Sequence, residues 1–185
     1  MNPATTTGVI AQTKHWFETV VLGLNLCPFA HAPAKHNRIR FAVFDEPEEL
    51  GLMEVLSDEV GRLQNTPIDE LETTLLILPE GFEDFYFYTV TVQQADSWLN
   101  KKGLQGEYQV AHFHPDYQFS DTDYDERSNF TNRSPYPILH LLREQSLSTA
   151  IDNGADTESI PARNIARMEN LTEQEIAKLF DYLPR

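Results

Sequence analysis

Apolar residues recur at three- and four-residue steps over Val9, Thr13, Trp16, Phe17, Val20 and Leu24, which predicts a helix with one buried face. It should stop near Cys27, because the residue before Pro28 is pushed out of helical geometry. Ile39, Phe41 and Val43 alternate within 38–44 and predict a strand. Leu52, Val55, Leu56, Val60 and Leu63 lie among acidic residues in 46–65 and predict an amphipathic helix. The unbroken apolar run 73–78, closed by Pro79, predicts a strand buried on both faces. Helical spacing returns at Phe85, Tyr88, Val92, Ala95 and Leu99 and ends near Gly103. A third strand, 108–114, ends at Pro115.

Two strand-to-strand connections each contain a helix, the pattern of neighbouring parallel strands with right-handed crossovers. The expected fold is therefore α/β. It has a small, mostly parallel sheet of about three strands (38–44, 73–78 and 108–114), crossover helices, and N-terminal and C-terminal helices. Residues 115–133 lack periodicity and read as a long ordered loop, packed by Tyr117, Phe119, Tyr124 and Phe130. Ser134-Pro135 suits a helix start, with serine as cap, proline at the first helical position, and Leu139, Leu142 and Leu147 to seat the helix. A short helix follows from about Pro161. The last opens with the capping box Thr172-x-x-Glu175 and buries Ile176, Leu179 and Phe180. With no repeat, low-complexity tract or linker, 1–185 reads as one domain.

Composition narrows the partners. Hydrophobic residues make up 41% and charged residues 23%, an ordinary globular mix. A net charge of −15 sets the surface against phosphate backbones and anionic lipid, so neither nucleic acid nor membrane is an expected partner. The single cysteine, Cys27, excludes an internal disulfide and a cysteine-rich zinc site. The first residues lack the basic start and apolar run of a signal peptide, and the expected location is cytoplasmic.

Candidate chemistry falls in two clusters. Ligands of open parallel sheets bind beyond the carboxyl ends of the strands. His112 and His114 alternate onto one face at the exit of the third strand, with Asp116 just beyond. Such a set suits a divalent metal, and His112 and His114 alone suit proton transfer; the competing reading is strand histidines packed and bonded to backbone. His112-x-His114-x-Asp116 partly matches the H-x-H-x-D-H metal-hydrolase signature, but Tyr117 stands where that signature has histidine. Asp121, Asp123 and Asp125 fail as an EF-hand, since Glu126 takes the glycine position and Asn132 the glutamate position.

The second cluster is Arg133 and Ser134, set beside the expected helix start as a cradle for a carboxylate or phosphate. On that helix His140, Arg143 and Glu144 would share a face. His140 would be the acid or base, oriented by Glu144, and Arg143 would hold the anionic group. A capped helix carrying a surface ion pair explains the same residues without a ligand. Cys27 falls at a helix C-terminus, which disfavours a reactive thiolate, although His31 and His36 lie near in sequence.

Three stretches together carry a resemblance: Leu24-Asn-Leu-Cys27-Pro28-Phe29-Ala30, His112-Phe-His114-Pro115-Asp116-Tyr117, and Asn132-Arg133-Ser134-Pro135-Tyr136-Pro137 leading to His140-Leu-Leu-Arg143-Glu144. On these the chain resembles, over nearly its whole length, an uncharacterised family catalogued as domain of unknown function 1415, found in bacteria and plants. The resemblance implies no reaction, cofactor or partner. From the residues themselves, the expectation is an enzyme acting on a small anionic substrate, with a divalent metal as candidate cofactor. The alternatives are a non-catalytic anion-binding protein and a thiol enzyme using Cys27.

Overall fold

The computed structural model describes residues 3–45, 51–152 and 157–183. One sheet contains β1 (Ile39–Val43), β2 (Thr73–Ile77), β3 (Tyr108–Phe113) and β4 (Ile138–Arg143), in the order β1-β2-β4-β3. β1 and β2 are parallel and are joined through α3 (Leu52–Asn65). The expectation for 46–50 lies outside the described residues. β4 runs antiparallel to both β2 and β3. The α/β class holds, but the sheet is mixed rather than mostly parallel. The three expected strands share one direction, yet β3 is separated from β2 by a fourth strand.

That fourth strand replaces the helix expected from Ser134-Pro135. Ile138, Leu139 and Leu141 are fully buried and His140 is 8% exposed, so both faces of β4 are covered. A strand buried on both faces shows no alternation, and its leucines imitate helical spacing. The helix begins only at Glu144, as α5 (Glu144–Asp152); the side chain of Leu147 lies outside the described residues.

One face of the sheet is covered by α3 and α4 (Phe85–Lys101), which pack Leu56, Val60, Tyr88 and Val92 onto Leu76, Leu139 and Leu141. Trp16, Phe17 and Val20, from α1 (Pro3–Trp16) and the turn that follows it, meet Leu75, Ile77 and Ile138 on the other face. There they join Met168 of α6 (Ile160–Glu169) and Phe180, just beyond α7 (Glu173–Leu179). The capping box at Thr172 and Glu175 opens α7 as expected. Among the described residues, no helix is long and apolar enough to cross a membrane.

The end of α1 departs from a regular helix. Phe17–Leu22 forms a π-helical turn, in which the Gly23 N–H donates to the Glu18 carbonyl, five residues back, at 3.0 Å. A Cβ on Gly23 would lie 2.2 Å from the Thr19 carbonyl oxygen, so only glycine closes this turn. Asn25 then takes a left-handed conformation (φ 54°), which asparagine tolerates better than most residues. The chain reverses into a 3₁₀ turn (Pro28–Ala30) and α2 (His31–Lys35). Cys27 therefore does not end the first helix. It caps the start of the next helical segment.

Candidate functional site

Between the sheet and the N-terminal helices lies a cavity of about 110 Å³. Its body is apolar, formed by Trp16, Phe17 and Val21 on one side and Leu75, Ala111 and Phe113 on the other. Glu72, Thr73, His140, Arg143 and Ser146 add polar groups to the wall, and Cys27 lines it too.

His140 stands in the middle of β4, paired with Leu75 of β2 and Ala111 of β3. Its protonation follows from the hydrogen bonds. The Thr73 hydroxyl has one proton, and it goes to the Leu141 carbonyl at 2.6 Å. Toward His140 the same oxygen must accept, so Nε2, at 2.7 Å, carries the ring proton. Nδ1 is left with a lone pair, and no hydrogen bond to it is seen among the described residues. Burial drives the His140 pKa down to about 4, because the charged ring would lose its hydration. The ring is neutral at neutral pH and presents an acceptor.

Arg143, at the end of β4, ties down the last turn of α3 and the segment that follows it. Its Nη2 donates to the carbonyls of Leu63, Thr66 (2.7 Å) and Leu71 (3.1 Å). These partners are neutral, and no carboxylate pairs with Arg143 among the described residues. Among the described residues its Nε, which is buried, has no hydrogen-bond partner, and neither has the buried Ser146 hydroxyl in the first turn of α5. Glu72 has its own cation, Arg38, at 3.6 Å.

The Cys27 thiol is pushed up from its ordinary pKa, chiefly by burial, with the Phe29 and Ala30 N–H groups offsetting part of the shift. Neither nearby histidine answers the thiol: His31 bonds the Asn25 side chain and His36 the Ala32 carbonyl.

The strand-exit cluster has a different character. His114 is fully buried, and the Asp116 N–H donates to its Nδ1 at 2.9 Å. Its Nε2 must then carry the proton that goes to the Phe82 carbonyl at 3.0 Å. Tyr88 and Phe85 pack on the same ring. Asp116 accepts from the Tyr124 hydroxyl at 2.7 Å. His112 packs against Tyr117, its Nδ1 is buried without a partner, and burial lowers its pKa against the pull of Asp96. The expected metal set His112, His114 and Asp116 is corrected accordingly. His114 has no free nitrogen, and among the described residues no group of three or more His, Cys, Asp or Glu could hold a metal ion.

Arg133 and Ser134 are not at a helix start. The Arg133 guanidinium lies 4.4 Å from the Tyr124 ring centre and 4.5 Å from that of Phe130, and it donates to the Tyr117 and Tyr124 carbonyls. It holds the 115–133 loop together, which also contains a 3₁₀ turn (Arg127–Thr131). The Ser134 hydroxyl donates to the nearby Tyr136 carbonyl. Glu144 does not share a helix face with His140; it opens α5, its N–H bonded to the Glu107 carbonyl.

Of the residues singled out from sequence, the cavity thus gathers His140, Arg143 and Cys27. Ser146, Thr73 and Glu72 were not anticipated. The one visible signal was a histidine inside the apolar run Ile138–Leu142.

The family model described as Protein of unknown function (DUF1415) matches residues 8–178, most of the chain. The chain belongs to this family. No curated protein and no solved structure matches it. In this DUF1415 chain the two stretches that meet at the cavity, around Cys27 and from His140 to Ser146, both lie inside the matched span.

Proposed function

We propose that this DUF1415 protein binds a small amphipathic molecule in the cavity between its sheet and its N-terminal helices. The ligand's apolar body lies against Phe17, Leu75 and Phe113, and its hydrogen-bonding head lies at Arg143 and Ser146. One observation carries this reading: two buried donors in the cavity wall, Arg143 Nε and Ser146 Oγ, have no partner among the described residues. A buried donor left unpaired costs about 1–3 kcal/mol, so such donors call for an acceptor, which a ligand in the cavity would supply. The π-helical turn gives independent support, because Phe17 and Val21 of that turn line the cavity and such turns recur at functional sites.

The cavity's chemistry favours binding over acid–base catalysis. An effective general base titrates near the working pH, whereas His140 titrates at about 4 and burial pushes the Cys27 thiol up. His140 then serves as a hydrogen-bond acceptor for a hydroxyl or amide on the ligand.

A thermal-shift screen of small acids, amides and alcohols, run on the native chain and on Ala111→Leu, tests the proposal. Ala111 lines the cavity, and leucine there fills it. A compound that raises the melting temperature of the native chain should leave the variant unchanged. Equal shifts in both proteins place binding outside the cavity and refute the proposal.

A further inference from the structure

We infer that the ligand is a short-chain monocarboxylate whose carboxylate sits at Arg143 and Ser146; this rests on the cavity being a ligand site. Charge is the first argument. Of the charged side chains in the cavity wall, Glu72 is already paired with Arg38, whereas Arg143 is surrounded by neutral carbonyls. One positive charge in the wall is left without a carboxylate among the described residues, and one negative charge on the ligand would match it. A phosphate dianion would bring twice the compensating charge.

Donor count is the second argument. Two buried wall donors, Arg143 Nε–H and Ser146 Oγ–H, lack acceptors among the described residues, and one carboxylate has two oxygens. Arg143 Nη2 is already committed to three carbonyls, so the pair of donors is divided between the arginine and the serine. Size is the third. A cavity of 150 Å³ accommodates benzene, so 110 Å³ holds about four or five non-hydrogen atoms of ligand. With the two carboxylate oxygens counted, acids of about two or three carbons fit that limit.

Calorimetric titration of the full chain with the saturated acids from acetate to octanoate, and with the matching primary amides, decides the point. Propionate should bind at least about tenfold more tightly than propionamide, the cost of exchanging a charged head for a neutral one. Affinity should peak at the short end of the series and fall toward octanoate. Ser146→Ala should weaken propionate about tenfold while its own unfolding temperature stays at or above that of the native chain, since the change removes an unpaired buried hydroxyl. Arg143→Lys, which removes Nε but keeps the charge, gives a second reading of the same loss. Equal binding of propionate and propionamide, or undiminished propionate binding by both variants, overturns the carboxylate inference and leaves the cavity reading standing. Absence of binding across both series overturns the two together.

Discussion

His140 and His114 are both buried, and their surroundings assign them different work. His114 has both nitrogens engaged by backbone, which locks the exit of β3 to the segment around Phe82. His140 has one nitrogen engaged and one open. Both are held neutral by burial, with folded pKa values below the ordinary one. For His140 the unfolded chain takes up a proton near pH 6.5 and the folded chain near 4. Its contribution is therefore complete above pH 6.5 and is lost as the pH falls toward 4, a loss on the order of 3 kcal/mol. In denaturant titrations, His140→Gln should flatten the fall of stability over that window relative to the native chain. An unchanged slope would mean that His140 is not held neutral. Arg133 acts at the same scale, wedged between two aromatic rings and two carbonyls. Arg133→Ala should cost about 2 kcal/mol of stability and speed hydrogen exchange in 115–133, with ligand binding at the cavity unaffected. Loss of ligand binding in a folded Arg133→Ala protein would restore the cradle that the sequence suggested.

At the level of elements, what was legible depended on whether an element has a wet face. α3 and α4 each expose one side, so their apolar positions keep a helical period and were read correctly. β2 was read from its branched, unbroken run between polar flanks. β4 is equally buried, but its leucines and the preceding Ser-Pro pair fit a helix as well as a strand, and local pattern could not choose. The choice was made by tertiary structure, since β4 fills the slot between β2 and β3. The π-helical turn was also invisible to periodicity, although Gly23 carries its requirement. Gly23→Ala would press a methyl group against the Thr19 carbonyl. It should cost about 1–3 kcal/mol and displace Phe17 and Val21. Circular dichroism melts and the ligand's thermal shift measure both effects; a variant as stable as the native chain, with unchanged binding, would show that the turn tolerates a side chain.

Across the whole molecule, the candidate site depends on topology more than on motif. His140, Arg143 and Cys27 were each visible in the sequence as polar or reactive side chains, but nothing local places residue 27 beside residues 140–146. That meeting requires the chain to reverse after Gly23 and β4 to enter the middle of the sheet. The motif-based cluster at His112, His114 and Asp116 instead became part of the packing between β3, α4 and the loop. Since Cys27 lines the cavity and is the only thiol, its alkylation reports on the cavity directly. The most direct test is the rate of Cys27 alkylation by N-ethylmaleimide at neutral pH, followed by mass spectrometry, with and without saturating propionate. Occupied cavities should shield the sulfur, so the rate should fall in step with the bound fraction, and Ser146→Ala should need about tenfold more propionate for the same protection. A rate that stays constant while propionate is demonstrably bound would place the ligand elsewhere and contradict the account.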